Sequence, residues 1–178
     1  MIQEIHGDLF EAIERTSPDT TVVIVHCVND LKIAGSGFVI PLFKRFPEAK
    51  TEYFRSNMQL KDVSYAYVGQ NSEHPYLPKF LIANMCAQTG IKYHSTGPRS
   101  KVCEKPGRYA ALVNCMEQVK YQMDFYRDGD EDLPITKKPK LQIMAPKFCS
   151  DRAGLHWPFI KELIEEIWFD YDTYIYYL

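Results

Sequence analysis

Apolar residues fall along this chain in two alternating kinds of run. Residues 2–6 read as a short strand stopped by Gly7-Asp8, and Asp8 suits the N-cap of a short helix carrying Leu9, Phe10 and Ile13. Residues 20–28, TTVVIVHCV, form an almost unbroken β-branched stretch, the pattern of a strand covered on both faces. A polar loop, Asn29 to Ala34, leads into Gly35-Ser36-Gly37. Phe38, Leu42, Phe43 and Phe46 then recur at helical spacing, with Pro41 compatible only with a first turn. A second helical stretch, Glu48 to Arg55, follows Pro47. Alternation predicts a strand over 63–68, turn material over 69–78, and a buried strand over 80–85, FLIANM.

The second half repeats this rhythm at longer range. Residues 88–107 mix Gly, Ser, Pro and Lys without a period and read as a long loop, of a length that is often functional. The clearest helix covers 108–123, with Tyr109, Leu112, Val113, Met116, Val119 and Met123 in one stripe. Residues 124–140 are charged and contain proline, which predicts a surface excursion. A strand over 141–145, a loop over 146–156, an amphipathic helix over 157–169 (Ile160, Leu163, Ile164, Ile167 and Trp168 inward) and a strand over 173–178 complete the chain. Strands alternating with helices predict one layered α/β domain over residues 1–178, with helices on both sides of a mixed sheet.

Composition narrows the classes of function. At 178 residues, 46% hydrophobic and 25% charged, the chain can bury a real core. A net charge of -2 does not call for a strongly basic face for nucleic acid and leaves room for a local patch alone. The N-terminus has neither a basic nor an apolar region, so no signal peptide is expected, and no apolar run reaches the length of a membrane span. The five cysteines, Cys27, Cys86, Cys103, Cys115 and Cys149, are odd in number and form no C-x-x-C pair, which suits a reduced cytoplasmic chain. Histidines and cysteines show no metal-ligand spacing, so neither a metal nor a cofactor is expected, and no Cys–His nucleophile pair is visible. His26 reads as a buried structural histidine, and His156 as a residue that caps or lines the last helix. His94 and Arg99 sit in the long loop, either solvated or covering a ligand.

Two strand–loop–helix junctions carry the candidate chemistry. Unpaired amides around Gly35-Ser36-Gly37, with glycine permitting close approach, form an anion site suited to a diphosphate; a plain turn is the alternative. The motif is neither a Walker loop nor a full G-x-G-x-x-G fingerprint. The second junction, Phe148-Cys149-Ser150-Asp151-Arg152-Ala153-Gly154, also follows a strand and precedes a helix, and an ordinary connection is again the alternative. In open α/β sheets ligands sit beyond the carboxyl ends of strands, so two such loops on neighbouring strands would clamp one nucleotide.

In order and spacing, Gly7-Asp8-Leu9-Phe10, VIVHCVN into Gly35-Ser36-Gly37, LFKRFPEAKTEYF, and the closing IMAPKF…AGLHWPFIKELIEEIW…TYIYYL resemble a macro domain over nearly the whole chain. Residues 88–107 and 124–140 match least. The likeness is greatest to the branch holding terminal ADP-ribose protein glycohydrolase and the yeast ADP-ribose 1″-phosphate phosphatase, and phage-encoded relatives are also similar, which would place the protein in a host cytoplasm. The resemblance implies a three-layer α/β/α fold and an ADP-ribose-like ligand, bound by a monomer. It implies that Asp8 accepts the adenine amino group and Leu9 lines the same end. Asn29 would stand near the distal ribose, with Gly35, Ser36, Gly37 and Phe38 wrapping that ribose and one phosphate. Cys149, Ser150, Asp151, Arg152, Ala153 and Gly154 would form the second phosphate loop. A carboxylate reading an exocyclic amine is physically sensible, and Asp8 can cap a helix as well.

The sequence also departs from the family. Cys149 and Asp151 stand where glycines are usual. Gln88 and Ala153 occupy the places of the glycohydrolase branch's attacking lysine and assisting aspartate, which argues against lysine-based deglycosylation; Lys92 is nearby but off register. The expected activity is hydrolysis of ADP-ribose 1″-phosphate. A water held by Asn29 or Asp30 would attack in line, with Asp151 in the facing loop and with Arg152 and the loop amides stabilising phosphoryl charge. The alternatives are a non-catalytic ADP-ribose reader or sequestering module, and a hydrolase removing ADP-ribose from a macromolecule by substrate-assisted water attack. A Rossmann-type nucleotide enzyme is disfavoured, because no acidic ribose reader follows the second strand.

Overall fold

The computed structural model describes residues 1–91 and 105–178; the expectations for Lys92, His94, Arg99 and Cys103 lie outside the described residues. The elements are β1 (Ile2–His6), α1 (Leu9–Glu14), β2 (Thr20–Asn29), α2 (Val39–Arg45), α3 (Pro47–Arg55), β3 (Val63–Val68), β4 (Phe80–Gln88), α4 (Tyr109–Asp128), β5 (Lys140–Pro146), α5 (Trp157–Ile167) and β6 (Asp172–Tyr177), with a 3-10 turn at Ile135–Lys137. The six strands form one sheet in the order β1-β6-β5-β2-β4-β3. β3 pairs antiparallel with β4, and the other neighbours are parallel. The sheet is therefore mixed, as expected, with β2 between β5 and β4 at its centre.

The β-branched run of β2 explains this placement. Val23 and Val25 point into one core, with Leu112, Cys115, Met116, Val119 and Met123 of α4 and Ile160 and Ile164 of α5. Val22, Ile24 and Val28 point into the other, with Leu9 and Ile13 of α1, Leu42 and Phe43 of α2, and Ala49 and Tyr53 of α3. Successive strand residues face opposite sides, so both faces must be apolar, and they are covered by different helices. The result is a three-layer α/β/α arrangement.

Three boundaries differ from the expectation by more than one residue. β4 continues past Met85 to Gln88, because Cys86 and Ala87 are small, apolar and buried. α4 continues past Met123 to Asp128, so the first part of the charged stretch 124–140 is helix. Ionic pairing supports that extension: Arg127 meets Asp128 at 2.9 Å and Asp170 at 2.9 Å, and Lys120 meets Asp124 at 3.1 Å. α5 ends at Ile167; Trp168 follows it, buried, with its indole N–H donating to the Met116 carbonyl at 2.9 Å. Among the described residues no helix is long and apolar enough to cross a membrane.

β1 lies at the sheet edge with β6 as its one neighbour, and Glu4 ties it to α5. The Glu4 carboxylate accepts from the Trp157 indole at 2.9 Å and from Lys161 at 2.8 Å, and it pairs with Lys147 at 3.3 Å. The Lys161 and Trp157 hydrogen bonds, in that order, hold its pKa at about 2, below the ordinary 4.5. A carboxyl depressed on folding contributes stability above its unfolded pKa and loses it as pH falls through the folded value. Urea titrations from pH 6 to pH 2 are expected to show stability falling below about pH 4.5, with Glu4→Gln less stable than wild type at pH 6 and the two curves converging towards pH 2.

Candidate ligand-binding site

β2, β4 and β5 run parallel, and their carboxyl ends meet at one edge of the sheet. A cavity of about 500 Å³ opens there, lined by residues 26–29, 33–39, 88, 91, 106, 146–153 and Tyr53. Its volume falls within the range of pockets that enclose a drug-sized ligand.

The first wall is the loop after β2, organised by Asn29. Its side-chain oxygen accepts from the amides of Leu31 at 3.0 Å and Ile33 at 3.1 Å, while its Nδ2 donates to the Ile33 carbonyl at 2.7 Å. The Tyr53 hydroxyl, from α3, donates to the Asn29 carbonyl at 2.7 Å. An Asx-type side chain thus folds the chain back on itself, with Lys32 in the left-handed region at φ 56°. Beyond this hub, the amides of Gly35, Ser36, Gly37 and Phe38 donate to no acceptor among the described residues. Gly37 needs to be glycine, with φ 79°. At Gly35 an added Cβ would meet nothing within 4 Å, so the space before this amide row is open.

The second wall is the loop after β5. Cys149 adopts φ 59°, the conformation a glycine would favour. The loop closes through Gly154 N–H to the Ser150 carbonyl at 2.9 Å and Leu155 N–H to the Cys149 carbonyl at 3.2 Å. The amides of Cys149, Ser150, Asp151 and Ala153 donate to no acceptor among the described residues. Gly107 braces the loop from behind by donating to the Ala153 carbonyl at 2.9 Å; a Cβ there would meet that same oxygen at 2.9 Å and Leu155 Cγ at 2.6 Å.

The structure brings together most of the residues expected from sequence: Asn29, Gly35, Ser36, Gly37, Phe38, Gln88, Cys149, Ser150, Asp151, Arg152 and Ala153 all line the cavity. Four others are placed elsewhere. Leu9 is a core residue, because with Ile13 it forms the inward face of α1. The Gly154 amide is occupied in closing its own loop and does not face the cavity. Asp30 is outside the lining: its two oxygens accept from Thr89 Oγ1 at 2.9 Å and the Gly90 amide at 2.8 Å, which ties the end of β2 to the end of β4. Asp8 caps α1, one oxygen accepting from the Phe10 amide at 2.7 Å. The Phe10 ring stacks on Phe38 of the cavity at 5.5 Å, so the cap stands beside the cavity rather than in its wall.

Sequence reasoning missed Tyr53, Lys147 and the part played by His26. Tyr53 gave only a helical signal, since its partner lies 24 residues away. Lys147 lines the cavity, but its charge is shared with Glu4. His26 is buried as expected yet also lines the cavity; its Nε2 meets Asn84 Oδ1 at 2.5 Å, and burial pulls its pKa down to about 4. Burial pushes the Cys86 and Cys115 thiols up to about 12 and raises Cys27 as well, so none of these three offers a ready thiolate. Among the described residues no cluster of three or more His, Cys, Asp or Glu is placed to hold a metal ion.

Two amide-lined loops at the carboxyl ends of parallel strands, in a six-stranded α/β/α sandwich of this order, define the macrodomain fold. A macrodomain protein from Streptomyces coelicolor superposes with a TM-score of 0.66 over 100% of this chain and 99% of its own, at 20% identity. A protein of unknown function from Bacteroides thetaiotaomicron superposes with 0.73 over 100% and 98%, at 24% identity. The DarTG protein of Thermosipho africanus, solved in complex with ADP-ribose, superposes with 0.60 over 98% of this chain and 41% of its own, at 11% identity. No protein-family model matches the sequence, and no curated protein matches it.

Because the Tyr53 hydroxyl holds the Asn29 carbonyl, Tyr53→Phe is expected to cost about 1 kcal/mol in urea denaturation and to raise amide hydrogen exchange across residues 31–38.

Proposed function

We propose that the cavity binds ADP-ribose by its diphosphate. The observation that carries this reading is the two rows of amides that donate to no acceptor among the described residues, 35–38 in one loop and 149–151 with Ala153 in the other, both lining one cavity of about 500 Å³. Convergent N–H groups stabilise phosphate oxygens without needing a cation, and two rows suit two linked phosphates. Asp8 supports an adenine end beside Phe10 and Phe38, since capping engages one carboxylate oxygen and leaves the other for an exocyclic amine. The bound ADP-ribose of the Thermosipho africanus DarTG complex, a protein of similar fold, supports the same ligand.

The test is calorimetry with ADP-ribose, AMP and NAD on wild type and on Gly35→Val. ADP-ribose is expected to bind in preference to the others. Because Gly35 faces open space, the variant should keep its stability within about 0.5 kcal/mol yet lose at least about tenfold in affinity. Equal affinity in both proteins would remove the diphosphate from this wall.

Hydrolysis of ADP-ribose 1″-phosphate is a second reading, favoured by Asp151 and Arg152 on the cavity wall. The Asp151 carboxylate is exposed and accepts no hydrogen bond among the described residues, whereas the acceptor oxygens of Asn29 and Asp30 are engaged in building loops. In this mechanism the Asp151 carboxylate takes a proton from the attacking water. The water oxygen bonds to phosphorus, the bond from phosphorus to the 1″ oxygen breaks, and that oxygen takes a proton from solvent to leave as ADP-ribose, while Asp151 later returns its own proton to solvent. Arg152 and the loop amides stabilise the charge spreading over the phosphoryl oxygens. Asp151→Asn is expected to lower phosphate release by about 10²-fold or more while ADP-ribose affinity stays within a few fold. Absence of phosphate release by wild-type protein that still binds ADP-ribose would leave binding as the whole function.

A further inference from the structure

Among the side chains at the cavity, His26 combines near-complete burial with an unused polar atom. It retains 3% of its surface and lies on β2, flanked by Phe38 at 6.1 Å and Phe43 at 5.9 Å between ring centroids. Asn84, beside it on β4, fixes its tautomer. Both hydrogens of the Asn84 amide are engaged, with Nδ2 donating to the Ala49 carbonyl at 3.0 Å and to Ser64 Oγ at 3.0 Å. The amide oxygen is therefore the atom turned to His26 Nε2, and an oxygen at 2.5 Å requires a hydrogen on that nitrogen. With burial keeping the ring neutral, Nδ1 carries a lone pair and accepts from no donor among the described residues. Among those residues no fully buried side-chain nitrogen or oxygen lacks a hydrogen-bond partner, so Nδ1 is not sealed in the core. His26 is one of the residues that line the cavity.

We infer that His26 is a ligand-binding residue whose Nδ1 accepts a hydrogen bond from a ribose hydroxyl, with Asn84 as the positioning residue that holds the acceptor tautomer. The inference rests on the reading of the cavity as an ADP-ribose site. The amide rows supply only donors, which suit phosphate oxygens. A lone pair repels a phosphate oxygen and attracts a hydroxyl, so the two kinds of group sort the two parts of the ligand. An imidazolium at this place would lose that discrimination, which gives the Asn84 contact a function beyond core satisfaction.

Nitrogen NMR of the histidine rings in the intact protein provides the test, with ADP-ribose and ADP as ligands. The free protein is expected to show His26 with Nε2 protonated and Nδ1 bare. Saturation with ADP-ribose should shift the Nδ1 resonance in the direction of an accepted hydrogen bond. A matching shift with ADP assigns the adenosine ribose, and a shift confined to ADP-ribose assigns the distal ribose. Amide signals in both loops that move on binding while Nδ1 stays fixed would overturn the role of His26 and leave the site intact. If neither ligand moves any signal, the ADP-ribose reading fails and this inference with it. His26→Phe keeps the aromatic packing and removes the acceptor, and is expected to weaken ADP-ribose about five- to tenfold. Asn84→Leu, which removes the oxygen facing Nε2, should bring an Nδ1-protonated signature into the histidine spectrum of the free protein, a readout that loss of packing alone would not move.

Discussion

A strand hydrogen-bonded along both edges and covered on both faces has its backbone exposed only where it stops. β2 is in that position, between β5 and β4, with α4 and α5 over one face and the three N-terminal helices over the other. Both neighbours run parallel to it, so all three point their carboxyl ends to the same side of the sheet, with β4 ending level with Asn29 and β5 stopping earlier. The loops that leave these ends begin with peptide groups that no longer have a ladder to join. The cavity lies where the carboxyl ends of these three parallel strands give way to loops, and much of its lining is main chain.

Keeping such amides unpaired requires that the loops be held by something else. The polar side chains near the strand ends serve that purpose. Asn29 folds the first loop, Tyr53 anchors it from α3, and Asp30 binds the end of β4 to the end of β2. Gly107 lets another segment press against the second loop without a side chain between. This division of labour explains why the residues that look most reactive in sequence are structural in place: an amide or carboxylate next to a buried strand end is surrounded by peptide groups that need partners. Asp151 and Arg152, by contrast, are exposed on the cavity wall.

The layered fold was legible because its signals are local. The β-branched run of β2, the stripe of α4 and the Trp-started helix each declare themselves within about a dozen residues. The C-terminal end of α4 was not, since past Met123 its support is ionic and comes partly from Asp170, 43 residues away. The same distinction runs through the site. Gly35-Ser36-Gly37 and the 148–154 loop were visible as motifs, and the structure sets them on opposite walls of one cavity. The bond between Tyr53 and Asn29 spans 24 residues, and that between His26 and Asn84 spans 58, and neither leaves a trace in spacing. His26 was read as structural because an apolar strand says only that a side chain is buried; which of its nitrogens is occupied depends on a neighbour in another strand.

Cys149 sits in the left-handed region with a side chain attached, a conformation that costs on the order of 1 kcal/mol or more and persists only where surrounding bonds impose it. The bonds that impose it are the closures from Gly154 and Leu155 and the brace from Gly107 to Ala153. All of these closures come from the chain itself and hold the turn without a bound molecule. Its shape is a standing property of the free protein, and the conformational entropy that a slack glycine loop would surrender on association has already been removed.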